Sequence, residues 1–512
     1  MESSQSRAAP QPAGTRSPAA LAAVSGIWLT ASQVVVLGLG LVLMSYLARR
    51  LGLVQYGLYA LAMLWLTWSS ALISGYGMAA VRWVIGRPDG TGYATALLQT
   101  LGGLGLALGA LLWALAPCFA QALSAPELSG LLKIVALLLP LNAIAMGYGS
   151  LLHAQGRFGV AALRPPLAWA GQLLAAFALI ESGHGARGAL LAMAVPALLQ
   201  WAIGRQVTRI PLCSRQRVRW SELWRQNRAL AGLQITLQFS QTMDLLALKY
   251  FGASNSGVGL YVGAQNVANA AIMIFSGPLH HTLVRALSLH LLRRDHPAAQ
   301  RSATKALRLT LIYGGVLLAQ TPFSAGITSL LLGPAFTPAG PLLAILLAVV
   351  ACRLLALCSH SLLIAHGQTL AIVPRLLLLM GLSVIGFAWL IPLGGSPATA
   401  GVALVLALSL ATLTTRQALR ALAMPFPWDT LARSAGAALL TALLSPLLTH
   451  FLPGHLLWVI PKLILATALY GAILLALREP SPGLSQLKPL FCGLLPFLPR
   501  AAKPAHPFPP PP

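Results

Sequence analysis

Fourteen stretches of about twenty mostly apolar residues recur along this chain, and they leave it one environment in which to fold. They are Gly26–Leu47, Tyr56–Met78, Tyr93–Ala116, Leu128–Leu151, Gly159–Ile180, Gly185–Ile203, Leu230–Phe251, Gly257–Leu279, Leu309–Leu332, Leu342–Ile364, Leu370–Ile391, Ala398–Thr415, Leu431–Leu452 and Leu456–Leu477. A helix needs about 20 such residues to span the hydrocarbon of a bilayer. In lipid each backbone N–H and C=O must find its partner within the segment, which a helix provides. With 57% hydrophobic and 8% charged residues over 512 positions, no soluble core could absorb the apolar surface. The expectation is an all-α polytopic membrane protein of about 14 transmembrane helices.

The charges orient it. Lys and Arg number 34 against 9 Asp and Glu, a net charge of +25. With the N-terminus placed inside, about 26 of the cations fall on the cytoplasmic side and about five outside (Arg49, Arg50, Arg187, Lys249 and Lys462). Lys133, Arg164 and Arg353 fall within segments. This bias puts both termini in the cytoplasm. The basic excess therefore reads as topology and attraction to anionic lipid, not as nucleic-acid binding. Cys118, Cys213, Cys352, Cys358 and Cys492 show no metal-ligand spacing and read as small apolar fillers.

The longest inner stretch, 205–229, carries seven arginines with Trp220 and Trp224 among them, a spacing that suits an interfacial helix. It divides the chain. Residues 1–24 are a cytoplasmic tail rich in Ser, Ala and Pro. An N-lobe occupies 25–204, the basic linker 205–229, and a C-lobe 230–420. Two further helices lie in 421–478, and a Pro-rich tail in 479–512.

A repeat supports the two lobes. Gly57-Leu58-Tyr59, Ala62 and Ser74-Gly75 return as Gly259-Leu260-Tyr261, Ala264 and Ser276-Gly277, at one constant offset of about two hundred residues. Two unrelated helices using small residues for close packing would produce a similar echo. A parallel duplication instead predicts two pseudo-symmetric six-helix lobes plus two C-terminal helices, with a substrate path between the lobes. At this offset Met63, Leu64 and Thr67 become Gln265, Asn266 and Asn269, so the second copy gains amides.

Ionisable groups inside a membrane cost about 2.5–3.5 kcal/mol each and mark functional sites by default. Arg353 sits mid-segment, and Asp244 is the one carboxylate placed inside a span. They either pair or face one cavity. Gln234, Gln238 and Gln241 share a face of the Asp244 helix. With Gln265, Asn266 and Asn269 these residues form the candidate substrate-binding set. Each amide also has a plain reading as an interhelical hydrogen bond. Lys133 and Arg164 lie nearer segment ends, from which they can snorkel. His280, His281, His360 and His366 read as interfacial residues rather than proton carriers. No Walker lysine and no set of nucleophile, base and acid is present, so neither an ATPase nor an enzyme is expected, and no metal or cofactor.

Several short motifs resemble one family. They are Ala48-Arg49-Arg50-Leu51-Gly52 before Tyr56-Gly57-Leu58-Tyr59, Asp244 with Phe251-Gly252 and Val258-Gly259-Leu260-Tyr261, Leu332-Gly333-Pro334-Ala335-Phe336, and Ala365-His366-Gly367-Gln368. Over roughly residues 25 to 420 the chain is similar to the polysaccharide transporters, Wzx-type oligosaccharide flippases of the multidrug/oligosaccharidyl-lipid/polysaccharide exporter superfamily. The resemblance implies a bacterial inner-membrane protein that flips an undecaprenyl-pyrophosphate-linked oligosaccharide for O-antigen, capsule or exopolysaccharide assembly. Its partners would be membrane lipids, a polysaccharide polymerase and a chain-length regulator. Arg353 would then meet the pyrophosphate, with Asp244 and the Gln234–Gln241 face lining the path. Three alternatives stay open: a drug or cation antiporter of the same superfamily, a peptidoglycan-precursor flippase, and a membrane glycosyl polymerase or ligase.

Overall fold

Single glycines break the two longest helices. Gly52 (φ 66°) divides Pro18–Ile85, α1, and Gly395 (φ 57°) divides Val373–Leu422. A left-handed φ favours glycine, and here it ends one segment and begins the next with no loop between. Gly40, before the first break, and Leu66, beyond it, both lie beside Trp169. On a straight helix they would stand about 39 Å apart, so the chain doubles back at Gly52.

This computed structural model describes residues 18–85, 90–155, 157–212, 220–366, 373–451 and 458–477, and every regular element among them is helical. After α1 come α2 (Gly90–Ala122), α3 (Leu128–Ala154), α4 (Phe158–Leu179), α5 (Gly185–Leu191) and α6 (Ala194–Thr208). Then follow α7 (Trp220–Tyr250), α8 (Asn255–Leu292), α9 (His296–Ala319), α10 (Ser324–Leu332) and α11 (Gly340–Ala365). The last three are α12 (Val373–Leu422), α13 (Trp428–Phe451) and α14 (Val459–Ala476).

Among the described residues nine stretches are long and apolar enough to cross a membrane. Two of them, Ala31–Gly75 and Val373–Leu422, each hold two sequence segments joined at a glycine. The described parts of α7 and α8 contain no such stretch. A π turn at Ile180–His184 separates the expected fifth and sixth segments, the sixth is split between α5 and α6, and the ninth breaks at a 3-10 turn through Pro322 before α10. Trp220 and Trp224 do not form a separate interfacial helix. They are the first turns of α7, which begins inside the expected linker and runs unbroken to Tyr250. The Ser, Ala and Pro tail before residue 18, part of the arginine run, and the Pro-rich tail lie outside the described residues.

Packing follows the two-lobe plan. α1 to α6 pack on one another, α7 to α12 do the same, and α1 crosses to both α7 and α8. α13 leans on α9 and α14. There the Ser434 hydroxyl donates to the Leu311 carbonyl at 2.9 Å and meets the Tyr470 hydroxyl at 2.8 Å.

Candidate functional site

Four side chains from three helices meet inside the second lobe. Tyr261 and Gln265 lie one turn apart on the same face of α8 and both reach Asp244 of α7. The Tyr261 hydroxyl donates to Asp244 Oδ2 at 2.8 Å and Gln265 Nε2 donates to the same oxygen at 3.0 Å. Asp244 Oδ1 accepts the Leu245 backbone N–H at 2.9 Å. Arg353 of α11 brings Nη2 to 3.8 Å from Oδ2 and donates to the Gln241 carbonyl at 3.1 Å. Asp244 is 2% exposed. A lone buried carboxylate would be prohibitive, and here an ion pair and three hydrogen bonds offset its desolvation.

The lobes close on each other nearby. A Cβ added at Gly57 would land on the Asn255 carbonyl, and one at Gly259 on the Leu53 carbonyl. These contacts are the same contact read from each copy of the repeat, which places the crossing of α1 and α8 on a pseudo-twofold axis. Only glycine permits so close an approach of two backbones. Arg49 Nη2 donates to the Leu330 carbonyl at the end of α10, at 2.6 Å. Asn266 donates to the Tyr56 hydroxyl at 3.0 Å, and Trp68 Nε1 to Thr242 Oγ1 at 2.7 Å. All three bonds run between lobes.

Behind the ion pair lies an apolar groove of about 660 Å³ between α9, α11, α12 and α13. Cys352 and Leu355 of α11 line it, with Leu408 and Arg416 of α12 and Trp428 of α13. Arg416 and Trp428 stand where α12 ends and α13 begins, at the inner side in the topology the charges predict.

The structure thus brings together Arg353, Asp244 and Gln265, and pairs the two charges. Asn266 belongs to the lobe interface instead. Gln234 and Gln238 are partly exposed, Gln241 is exposed, and Asn269 is half-buried. Lys133 lies over the Trp113 ring at 5.6 Å. Arg164 does not reach for the surface. It folds across Gly149 and donates to the Ala145 carbonyl at 3.1 Å. The side chains of His280 and His281 lie outside the described residues, as do those of Ser276 and the repeat's far end. Sequence reasoning missed Tyr261 and Tyr56 as functional groups, although Tyr261 sits in the repeat motif itself. The groove had no local signal, because its walls come from four separate helices.

A sequence profile described as "Polysaccharide biosynthesis protein" matches residues 23–288. No protein among curated sequences matches the chain. Solved structures do. Lipid II flippase MurJ in an inward closed conformation aligns with TM-score 0.68 at 13% identity, over 88% of this chain and 97% of that one. A MOP superfamily transporter from Pyrococcus furiosus gives TM-score 0.59 at 13% identity, over 80% and 98%. An inward-facing multidrug resistance MATE family transporter of the MOP superfamily gives 0.58 at 14% identity, over 80% and 96%. At such identities the likeness establishes the fold alone, that of a multi-pass membrane protein of two lobes.

Proposed function

The chain belongs to the polysaccharide biosynthesis protein family, and from that premise we propose that it flips a lipid-linked oligosaccharide across the bacterial inner membrane for surface polysaccharide assembly. The observation that carries this reading is Arg353 on α11. It is a guanidinium inside a membrane span, on a helix whose Cys352 and Leu355 line the apolar groove. A substrate with an anionic head and a long apolar chain has both ends met on one helix. The exposed or partly exposed amides Gln234, Gln238 and Gln241 suit sugar hydroxyls beside it. Arg416 at the groove's inner end suits a lipid phosphate entering from the cytoplasmic leaflet. An inside-negative potential assists, since each negative charge moved outward gains about 2.3 kcal/mol per 100 mV.

The test is genetic and chemical together. A deletion strain loses surface polysaccharide and accumulates its lipid-linked precursor, and the wild-type gene restores both. Arg353→Ala fails to restore them at normal protein levels. If Arg353→Ala and Arg353→Lys both restore full output, the role given to Arg353 is wrong. A second reading is favoured by Asp244, a membrane carboxylate of the kind a cation-coupled drug antiporter uses. Its pairing with Arg353 weakens that reading, and unchanged drug susceptibility in the deletion strain removes it. A peptidoglycan-precursor flippase would be essential, so a viable deletion strain excludes that alternative.

A further inference from the structure

Asp244 and Arg353 are unequal partners. Asp244 takes three hydrogen bonds from uncharged groups, namely the Tyr261 hydroxyl, the Gln265 amide and the Leu245 N–H. Those three donors position it independently of Arg353. Arg353 makes one hydrogen bond, to the Gln241 carbonyl. Its approach to Asp244, at 3.8 Å, is too long for another. A guanidinium carries five N–H donors, and the rest have no partner among the described residues. Gln241, which holds it, is exposed. The carboxylate is held by three donors, whereas the guanidinium, 12% exposed, is held by one hydrogen bond and the ion pair.

We propose that Asp244 is an internal stand-in for the substrate's anion. Arg353 rests against it while the site is empty and turns to the diphosphate of a lipid-linked substrate when one arrives. Asp244 then draws it back as the substrate leaves. The proposal rests on the flippase reading above. Its physical sense lies in release. A carrier must bind firmly enough to load and loosely enough to unload. A guanidinium with no competing anion would hold a diphosphate too long. A carboxylate held by three neutral donors supplies that competition at a fixed distance, and the empty site sets one acidic against one basic side chain.

The experiment uses the full-length protein in lipid nanodiscs with fluorescent farnesyl diphosphate, and with farnesyl monophosphate and inorganic pyrophosphate as comparison probes. R353A is expected to bind the diphosphate at least about tenfold more weakly, and D244N about tenfold more tightly with slower turnover in reconstituted flipping. Y261F leaves Asp244 more dependent on Arg353. It is expected to weaken binding about threefold in the wild type and to have no effect in the D244N background. If D244N weakens binding as R353A does, or if Y261F acts equally in both backgrounds, the pair is a static bridge and the proposal is overturned. If the probes bind and R353A is indifferent, the exchange is overturned while the flippase reading stands. If the wild type binds none of the probes, the diphosphate-lipid reading falls and takes the proposal with it.

Discussion

The second half of α1 and the first half of α8 begin alike and end up in different employment. Each starts just past a glycine break, each presents its repeat glycine to the other's backbone, and each carries a tyrosine two residues on. Tyr261 donates to a buried carboxylate, whereas Tyr59 stacks on Tyr56 with centroids 6.3 Å apart. One turn further, Gln265 also reaches Asp244, while its counterpart Met63 is partly buried against apolar neighbours. What the duplication keeps is the crossing, where backbone shape decides. What it lets diverge is the face turned into each lobe, where side-chain chemistry decides. The N-lobe copy is scaffold and the C-lobe copy holds the charge.

The comparison can be broken at the crossing first. Gly57→Val and Gly259→Val each press a side chain into a backbone carbonyl, and each should cost about 3 kcal/mol or more. Folded yield and thermal stability in detergent would show it. A loss at one glycine and none at the other would end the two-fold description. The tyrosines sharpen it next. Tyr261→Phe removes a hydrogen bond to a charged group and should cost about 2 kcal/mol, while Tyr59→Phe should stay within about 0.5 kcal/mol. Thermal unfolding of the two proteins side by side tests that asymmetry. Tyr56→Phe orphans the Asn266 amide across the lobe interface, at a cost of about 1 kcal/mol. A matching increase in labelling of a cysteine placed at Leu53 would show the crossing of α1 and α8 loosening. The smallest effect on stability is expected at Gln241→Ala, within about 0.5 kcal/mol because the side chain is exposed. Surface polysaccharide output should nonetheless fall, and an unchanged output would remove Gln241 from the path.

Much of this architecture was legible in the residues. Segment length and apolarity mark the helices. The repeat marks the two helices that meet at the centre. The isolated ionisable residues Asp244 and Arg353 announce themselves because such groups are costly in lipid. Other features were not legible, for reasons of geometry. Gly52 and Gly395 join segments that look separate, since a one-residue break leaves no polar loop to see. Arg164 looks able to snorkel, yet the gap at Gly149 gives it a nearer carbonyl. Gln265 and Asn266 are neighbouring carboxamides, but their 100° separation on α8 sends one to Asp244 and the other to Tyr56.

By itself, then, the sequence determined the solvent, the helical secondary structure and the short set of groups that need explaining, because transfer to lipid penalises each residue locally. Only the tertiary structure decided which of those groups meet. Pairing Asp244 with Arg353 across more than a hundred residues, and assembling a groove from four helices, depend on how helices cross. That crossing is set by the reciprocal approach of Gly57 and Gly259, which no local property of either segment specifies.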